Sequence, residues 1–143
     1  MTELAAISTL LRRYEAAIYA KDAQATVACY SDDVVAYDLA PPLAIAASVA
    51  CDPAYIQQWF DSWEGPVSSL AKEVTVKVGG GVAYAFTLRH MTGKKKDGQV
   101  ADLWFRATAT FVKKDGEWKI SHIHNSVPFA MDGTDKALLE LKP

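Results

Sequence analysis

Residues 82–127 read VAYAFTLRHMTGKKKDGQVADLWFRATATFVKKDGEWKISHIHNSV, and this stretch decides the fold. Polar and apolar residues alternate along it, which is the side-chain period of a β-strand. Asp-Gly turns at 97–98 and 115–116 separate the alternating runs. Together with the run before Gly79, the pattern predicts an antiparallel meander of four strands: Ala71–Val78, Val82–Thr92, Asp102–Lys113 and Glu117–Val127.

The first half of the chain has helical periodicity instead. Apolar residues recur every three or four positions over Leu4–Ala20, which predicts an amphipathic helix. Asp22 is a candidate N-cap for a second short helix that reaches Tyr30. Helices followed by strands are typical of an α+β fold, in which the helices pack on one face of a single sheet.

A third helix is predicted from its boundary residues. Asp52 suits the N-cap, Pro53 suits the first helical position, and Gly65 suits the residue just past the end. Before it, Val34–Asp38 predicts a short strand, and the alanine-rich stretch Leu43–Ala50 predicts a loop.

Length and charge exclude several classes of protein. The 143 residues suit one domain spanning 1–143. A formal net charge of −2, with no broad basic face, argues against nucleic acid as a partner. No apolar run is long enough for a membrane span, and no signal peptide is visible. Cys29 and Cys51 have neither metal-ligand nor redox spacing, so we expect a cytoplasmic protein with reduced thiols.

Alternation sorts the residues of the last two strands into faces. We expect one face to combine an apolar beginning, at Trp118 and Ile120, with a polar end. Such a face fits a ligand pocket, although it also fits a sheet surface against a second subunit. Its predicted members are Trp104, Arg106, Thr108, Trp118, Ile120, His122 and His124.

Several of these side chains are candidates for ligand binding. Arg106 with His124 is suited to bind a carboxylate, unless Arg106 instead pairs with Asp102 or Asp38. His122 and His124 lack a clear third ligand apart from His90, so we expect no metal. The remaining aromatic candidates for the pocket wall, which also suit the core, are Trp59, Trp63, Trp104 and Tyr30.

Four segments resemble known families. RYEAAIYAKD (13–22) and CYSDDVVAYDLAPP (29–42) look like the opening of ketosteroid isomerases and SnoaL-like polyketide cyclases. WFRATATF (104–111) and DGEWKISHIHNSVPF (115–129) are similar to SnoaL-like domains and to the association domain of calcium/calmodulin-dependent kinases. The resemblance covers essentially the whole chain. It implies a nuclear transport factor 2-like, cystatin-like α+β fold: a cone-shaped, curved sheet, antiparallel or mixed, with the N-terminal helices on its concave face.

The resemblance also implies roles for two residues. Tyr14 falls where ketosteroid isomerases keep a tyrosine that donates to the developing oxyanion, and Asp38 falls where they keep the aspartate that moves the proton. Their second oxyanion donor, a protonated aspartate, should fall near Ala107 or Thr108, and neither is an acid. Steroid isomerisation itself is therefore not expected.

The sequence thus predicts a pocket for a small apolar molecule with a carbonyl or carboxylate, and an isomerase or cyclase type of proton transfer. The alternative is a ligand-binding or assembly domain without catalysis. We expect no cofactor, because Gly79–Gly81 lacks the following helix of a phosphate-binding loop. We also expect a homodimer through the sheet face that carries Leu103, Phe105, Phe111, Ile123 and Val127.

Overall fold

The computed structural model describes all 143 residues, Met1–Pro143. The elements in chain order are α1 (Glu3–Tyr19), α2 (Ala23–Val27), β1 (Tyr30–Tyr37), α3 (Ala47–Ala50), α4 (Pro53–Asp61), β2 (Trp63–Gly79), β3 (Val82–Lys95), β4 (Val100–Lys114) and β5 (Glu117–Ser126). A curved, unclosed five-stranded sheet carries the helices of the N-terminal half, so the predicted α+β fold is confirmed. None of the helices combines the length and the apolar character needed to cross a membrane.

The sheet has the strand order β1-β5-β4-β3-β2. Strands β2 to β5 form the predicted antiparallel meander, because short turns join each strand to its neighbour. Strand β1 pairs with β5 in parallel, which makes the sheet mixed. Helices α3 and α4 carry the chain from β1 at one edge to β2 at the other, as a crossover requires.

The predicted helix starts follow from local capping chemistry. Asp22 Oδ1 accepts from Ala25 N–H at 3.0 Å, and Asp52 Oδ1 accepts from Ala54 N–H at 3.0 Å. These two caps are confirmed. The predicted role of Gly65 is wrong, because α4 already ends at Asp61 and Gly65 lies inside β2 with a φ of 77°.

Other boundaries also differ from the prediction. The second helix, expected to reach Tyr30, ends at Val27, and the strand expected from Val34 already begins at Tyr30. Strand β2 begins at Trp63, well before Ala71, because the segment around Val67 pairs with the end of β3. The stretch Leu43–Ala50, predicted as a loop, contains Ala47–Ala50 as helix α3. Ala50 is buried there against Val34, so tertiary packing makes this turn helical.

The main core lies between α1 and one face of the sheet. Ile7 and Leu10 of α1 pack on the small side chains of Ala83 and Ala85 in β3. Alanines bring the helix close to the strands, and each fully buried aliphatic side chain contributes about 1.5–3 kcal/mol. A second cluster, made by Ile18, Ala23, Phe60, Trp63 and Val67, joins the helices to the beginning of β2. We call the helix-covered face the concave face and the opposite one the convex face.

An irregularity in β5 changes which residues face the helices. Phe111 pairs with Ile120 while Thr110 pairs with His122, so Ser121 is an extra residue that forms a bulge. A one-residue slip moves every later side chain to the other face. Trp118 and Ile120 are therefore buried against the helices, and Ile123 beyond the bulge packs on the same core.

Because of this bulge, the predicted assignment of residues to the two faces of the sheet is wrong. Phe105, Ala107 and Phe111 of β4 are buried on the concave face with Trp118. Their neighbours in β4, Trp104, Arg106 and Thr108, lie on the convex face by alternation, and His122 and His124 pair with residues of that face. Leu103, Phe105, Phe111 and Ile123, expected as a dimer surface, instead face the helices.

Candidate functional site

Two tyrosines meet between α1 and the concave face. The helical period that buries Ile7 and Leu10 also turns Tyr14 inward, where its hydroxyl lies 3.2 Å from the hydroxyl of Tyr30. The two rings are tilted by 52° with centroids 5.9 Å apart. Burial raises the pKa of Tyr14, and it raises that of Tyr30 well above the ordinary value. Both groups are therefore neutral hydroxyls, able to donate hydrogen bonds, across the physiological range.

Asp38 follows the last residue of β1, at the edge of this region. Its Oδ1 accepts from Leu39 N–H at 2.7 Å and from Asn125 Nδ2 at 3.2 Å. Burial is the largest cause of the raised pKa of Tyr14 and of Tyr30, and the negative charge of Asp38 raises both pKa values further. The carboxylate thus lies within electrostatic range of both hydroxyls, although it is itself exposed.

An open cleft of about 630 Å³ begins at Asp38. Its walls are the β1 end, the following proline-rich segment and β5: Tyr37, Asp38, Leu39, Ala40, Pro41, Pro42, Leu43, Ala44, His124 and Asn125. Half of these residues are apolar, and the polar side chains come both from the end of β1, at Tyr37 and Asp38, and from β5, at His124 and Asn125. Such a mixture suits an apolar ligand with a few hydrogen-bonding groups.

A buried ion pair also lies between α1 and the concave face. Arg89, only 7% exposed, donates from Nη1 to Glu15 Oε1 at 3.0 Å and to Ser69 O at 3.1 Å. Glu15 Oε1 also accepts from Ala71 N–H at 3.2 Å, so the pair ties α1 to β2 and β3. The positive charge of Arg89 opposes the effect of burial on the pKa of Tyr14.

Trp104 and Arg106 do not line this region. Arg106 is exposed on the convex face, where Nε donates to Ser126 Oγ at 3.1 Å. Trp104 stacks on His90 with ring centroids 4.6 Å apart, and His90 Nε2 lies 2.6 Å from Asp102 Oδ1. The prediction that both residues wall a cavity with Trp118 is wrong, because β4 directs its even-numbered side chains away from the helices.

The two histidines of β5 also lie on the convex face. His122 Nδ1–H donates to Val35 O at 2.6 Å, and both imidazoles contact the edge or face of Tyr37. His124 also lines the Asp38 cleft, so it is the member of the predicted anion pair that lies near Asp38. No group of three metal-ligating side chains is present around them.

Trp59 and Trp63 lie at the far end of the concave face. Their rings meet edge to face at 5.6 Å, and both pack in the cluster of Phe60 and Ile18. Trp63 is buried and its Nε1 has no hydrogen-bond partner. The structure therefore puts Tyr14 in contact with Tyr30, places Asp38 just after β1, and places the two tryptophans in a separate apolar cluster.

Three polar residues of this region were not predicted from the sequence: Glu15, Arg89 and Asn125. Asn125 would have been found if the bulge at Ser121 had been recognised, since the slip turns it inward. Arg89 could have been predicted from alternation along β3, because it is odd-numbered like the buried Ala83 and Ala85 and therefore lies on the same face. Glu15 is 74 positions away from its partner, so no local pattern connects the two.

The comparisons with known proteins agree with this architecture. The model of the SnoaL-like domain matches residues 7–130. A nuclear transport factor 2-like protein of unknown function from Pseudomonas putida is 30% identical, with a TM-score of 0.85, over 100% of this chain and 99% of its own. No curated protein matches the sequence.

More distant structures share the fold. A protein provisionally named scytalone dehydratase from Novosphingobium aromaticivorans is 16% identical, with a TM-score of 0.79, over 96% of this chain and 91% of its own. A provisionally named calcium/calmodulin-dependent protein kinase II association domain from Xanthomonas campestris is 20% identical, with a TM-score of 0.75, over 93% and 91%. Because the fold serves such different roles, the chemistry has to be argued from the site.

Proposed function

The chain belongs to the SnoaL-like domain family, and we propose that it binds a small apolar carbonyl compound and catalyses proton transfer next to the carbonyl group. One observation carries the proposal. The hydroxyls of Tyr14 and Tyr30 form a partly buried, hydrogen-bonded pair within electrostatic range of the Asp38 carboxylate. This arrangement supplies both a hydrogen-bond donor for the carbonyl oxygen and a base for the adjacent carbon.

The proposed step transfers one proton and shifts two electron pairs. The Asp38 carboxylate takes a proton from the carbon next to the carbonyl, and the C–H electrons form a C=C bond. The carbonyl π electrons move to oxygen, where a hydroxyl of the tyrosine pair donates to the developing enolate. Asp38 then returns the proton to carbon. Isomerisation results when the return is to a different carbon, and exchange with solvent results when the acid first loses the proton to water.

The tyrosine pair compensates in part for the acid that is missing near Ala107. One hydroxyl donates to the other, so the second is polarised before it meets the ligand oxygen. Either Tyr14 or Tyr30 can be the outer donor. Burial raises the pKa of both tyrosines, so both hydroxyls stay protonated at neutral pH. A phenolate at this position would repel the developing enolate.

Proton exchange on a simple ketone tests the proposal. Benzylacetone in deuterated buffer is incubated with the protein, and the loss of its α-proton signals is followed by NMR. We expect exchange well above the rate with buffer alone and above that with the same amount of heat-denatured protein. Equal rates in all three samples, with benzylacetone and a panel of cyclic enones, would contradict catalysis.

A second candidate function is ligand binding without catalysis. The exposure of Asp38 favours it, since a well-solvated carboxylate is a weaker base for a carbon acid than a desolvated one. The same NMR samples separate the two functions. Binding of benzylacetone, seen as line broadening or chemical-shift changes, without faster exchange would support the binding domain and contradict the enzyme.

We also propose a homodimer, formed through the convex face. The convex face keeps large apolar side chains exposed, among them Leu70 at 57%, Phe86 at 49% and Tyr84 at 46%. Tyr84 and Phe86 also stack on each other, and exposed large apolar side chains grouped on one face are typical of an interface. This is not the sheet face that was expected from the sequence. The bulge at Ser121 and the buried Ala83 and Ala85 of β3 place the expected face against the helices instead.

A cytoplasmic location is the corresponding proposal for the compartment. Cys29 and Cys51 form no disulfide, and Cys29 is buried. Burial raises the pKa of both thiols, which keeps them protonated and slows their oxidation. Mass spectrometry after alkylation of fresh cell extract would show both cysteines reduced; a bridge or mixed disulfide would contradict this location.

A further inference from the structure

We propose that Arg89 is the anion-binding residue of the site, and that the ligand carries a carboxylate in addition to its carbonyl group. This inference rests on the proposed function, because it names the class of substrate for the same site. It assigns to a buried arginine on β3 the role that the sequence alone suggested for Arg106. The evidence is the way in which the guanidinium of Arg89 is held.

Only one nitrogen of this guanidinium donates hydrogen bonds to other groups of the protein. Both hydrogen bonds of Arg89 are donated from Nη1, one to Glu15 and one to Ser69 O. Nη1 carries two N–H groups, so both are engaged, while Nε–H and the two Nη2–H groups make no hydrogen bond to protein. The Nε–Nη2 edge presents two parallel donors, which is the geometry that binds a carboxylate through both oxygens.

The surroundings fix this edge in place. Arg89 is 7% exposed, and Glu15 and Ser69 O hold Nη1 from the sides of α1 and β2. A donor pair on a fixed, partly desolvated group loses little side-chain entropy when it binds a ligand. Arg106, on the exposed face, has Nε engaged with Ser126 and lacks both of these properties.

Arg89 also lies on the same face as the tyrosine pair. Arg89 pairs with Phe105, which is buried on the concave face, and its positive charge lowers the pKa of Tyr14, against the effect of burial. A ligand whose carbonyl oxygen meets the tyrosines can therefore extend its carboxylate toward Arg89.

The charge balance selects the kind of anion. Glu15 already compensates one positive charge, so a ligand anion is attracted by the guanidinium and repelled by the carboxylate beside it. A planar monoanion that accepts two hydrogen bonds tolerates this balance better than a phosphate dianion. We therefore assign a carboxylate, and we expect phenyl phosphate to bind no better than a neutral compound.

Two matched probes test the assignment: benzoylpropionate and its neutral amide. Both carry the same ketone and differ in the group that would reach Arg89. By calorimetry, the wild-type chain should bind the acid about 10- to 100-fold more tightly than the amide, the range expected for charge-assisted hydrogen bonds. Equal affinities, a preference for phenyl phosphate, or no binding of the acid at millimolar concentration would overturn the proposal.

Variants identify the residue responsible. Arg89→Lys keeps the charge beside Glu15 but removes the planar donor edge, so the preference for the acid should fall about tenfold or more. The control Arg106→Met should keep the preference. If Arg89→Lys does not fold, as judged by circular dichroism, the double variant E15M/R89M removes both charges together, and it should lose the preference while keeping its affinity for the amide. Loss in Arg106→Met, or retention in both Arg89 variants, would overturn the assignment.

The two proposals fail in different ways. Preference for the acid without exchange of its α-protons supports the Arg89 site and contradicts the enzyme. Exchange of the α-protons in acid and amide alike, with equal affinities, supports the enzyme and contradicts the Arg89 site.

Discussion

Asn125 Nδ2 lies 3.2 Å from Asp38 Oδ1, and this contact joins β5 to the end of β1. The contact exists because the bulge at Ser121 turns Asn125 to the concave face, opposite Ala107. The amide and Leu39 N–H both donate to the same oxygen, so the second carboxylate oxygen is left to act on a ligand. Asn125 is thus a positioning residue for the proposed base.

Asn125→Ala should therefore slow catalysis without abolishing binding. Loss of one hydrogen bond to a charged group lets the carboxylate rotate, and we expect kcat for ketone exchange to fall about tenfold with KM nearly unchanged. Ser126→Ala is the control, since Ser126 contacts Arg106 on the convex face. An unchanged kcat in Asn125→Ala, or an equal loss in Ser126→Ala, would show that Asn125 does not position the base.

The buried tyrosine pair predicts a loss of stability at alkaline pH. In the unfolded chain tyrosine ionises near pH 10, whereas burial raises the pKa of Tyr14 and Tyr30 in the folded state. The folded state thus keeps protons that the unfolded state loses. The resulting stabilisation is fully present below about pH 10, and the free energy of unfolding falls as the pH rises through the folded pKa.

Tyr14→Phe tests this linkage. It should lower the free energy of unfolding at neutral pH by about 1 kcal/mol through the lost hydrogen bond, and it should reduce the further loss of stability above about pH 10. Tyr19→Phe is a matched control, because Tyr19 lies in the same helix and is 56% exposed. Urea titrations at several pH values give the measurement; identical pH profiles for wild type and Tyr14→Phe would contradict the linkage.

Local chemistry explains which parts of the fold could be predicted from the sequence. The caps at Asp22 and Asp52 depend on residues within three positions, and the strands of the meander depend on their own alternation. The assignment of faces failed because it needed tertiary information. Large side chains such as Tyr84 and Phe86 point outward, while Ala83 and Ala85 are inside because α1 packs closely against them.

The candidate site was predictable to a similar degree. Tyr14 and Asp38 are predicted from the resemblance to ketosteroid isomerases, and Tyr30 is predicted as an aromatic residue of the pocket wall or the core; the structure puts the hydroxyls of Tyr14 and Tyr30 in contact. Arg106 and Trp104 are misplaced in the prediction because the bulge at Ser121 puts Trp118 on one face of the sheet and His124 on the other, and the even-numbered residues of β4 share the face of His124. Arg89 was missed because its partner Glu15 lies in a distant helix, and the pairing is created by folding.

Gly93 predicts a specific packing constraint. A Cβ at this position would lie 2.9 Å from Trp63 Cε3 and Cζ3 and 3.4 Å from Pro66 O. Gly93→Ala should therefore destabilise the fold by about 1–3 kcal/mol through overpacking. Gly79→Ala, with nothing within 4 Å of its Cβ, should be neutral or slightly stabilising in the same urea titration. Equal stability of the two variants would contradict the close contact.

The convex face predicts the oligomeric state. Light scattering at micromolar concentration should give the mass of a dimer for the wild type and of a monomer for Phe86→Asp, because the new carboxylate would lie in an apolar interface beside Tyr84. Leu43→Asp, on a loop with 97% exposure, should remain dimeric. A strictly monomeric wild type would contradict the proposed interface.

The exchange rate of the Asp38→Asn variant tests the proposed proton transfer most directly. Asparagine keeps the shape of the side chain and can still contact Leu39 and Asn125, but it cannot accept a proton from carbon. We predict that α-proton exchange on benzylacetone falls by about 10²–10⁴-fold while the affinity for the ketone and the urea midpoint stay close to wild type. Exchange at the wild-type rate in a folded Asp38→Asn protein would contradict the role of Asp38 as the base.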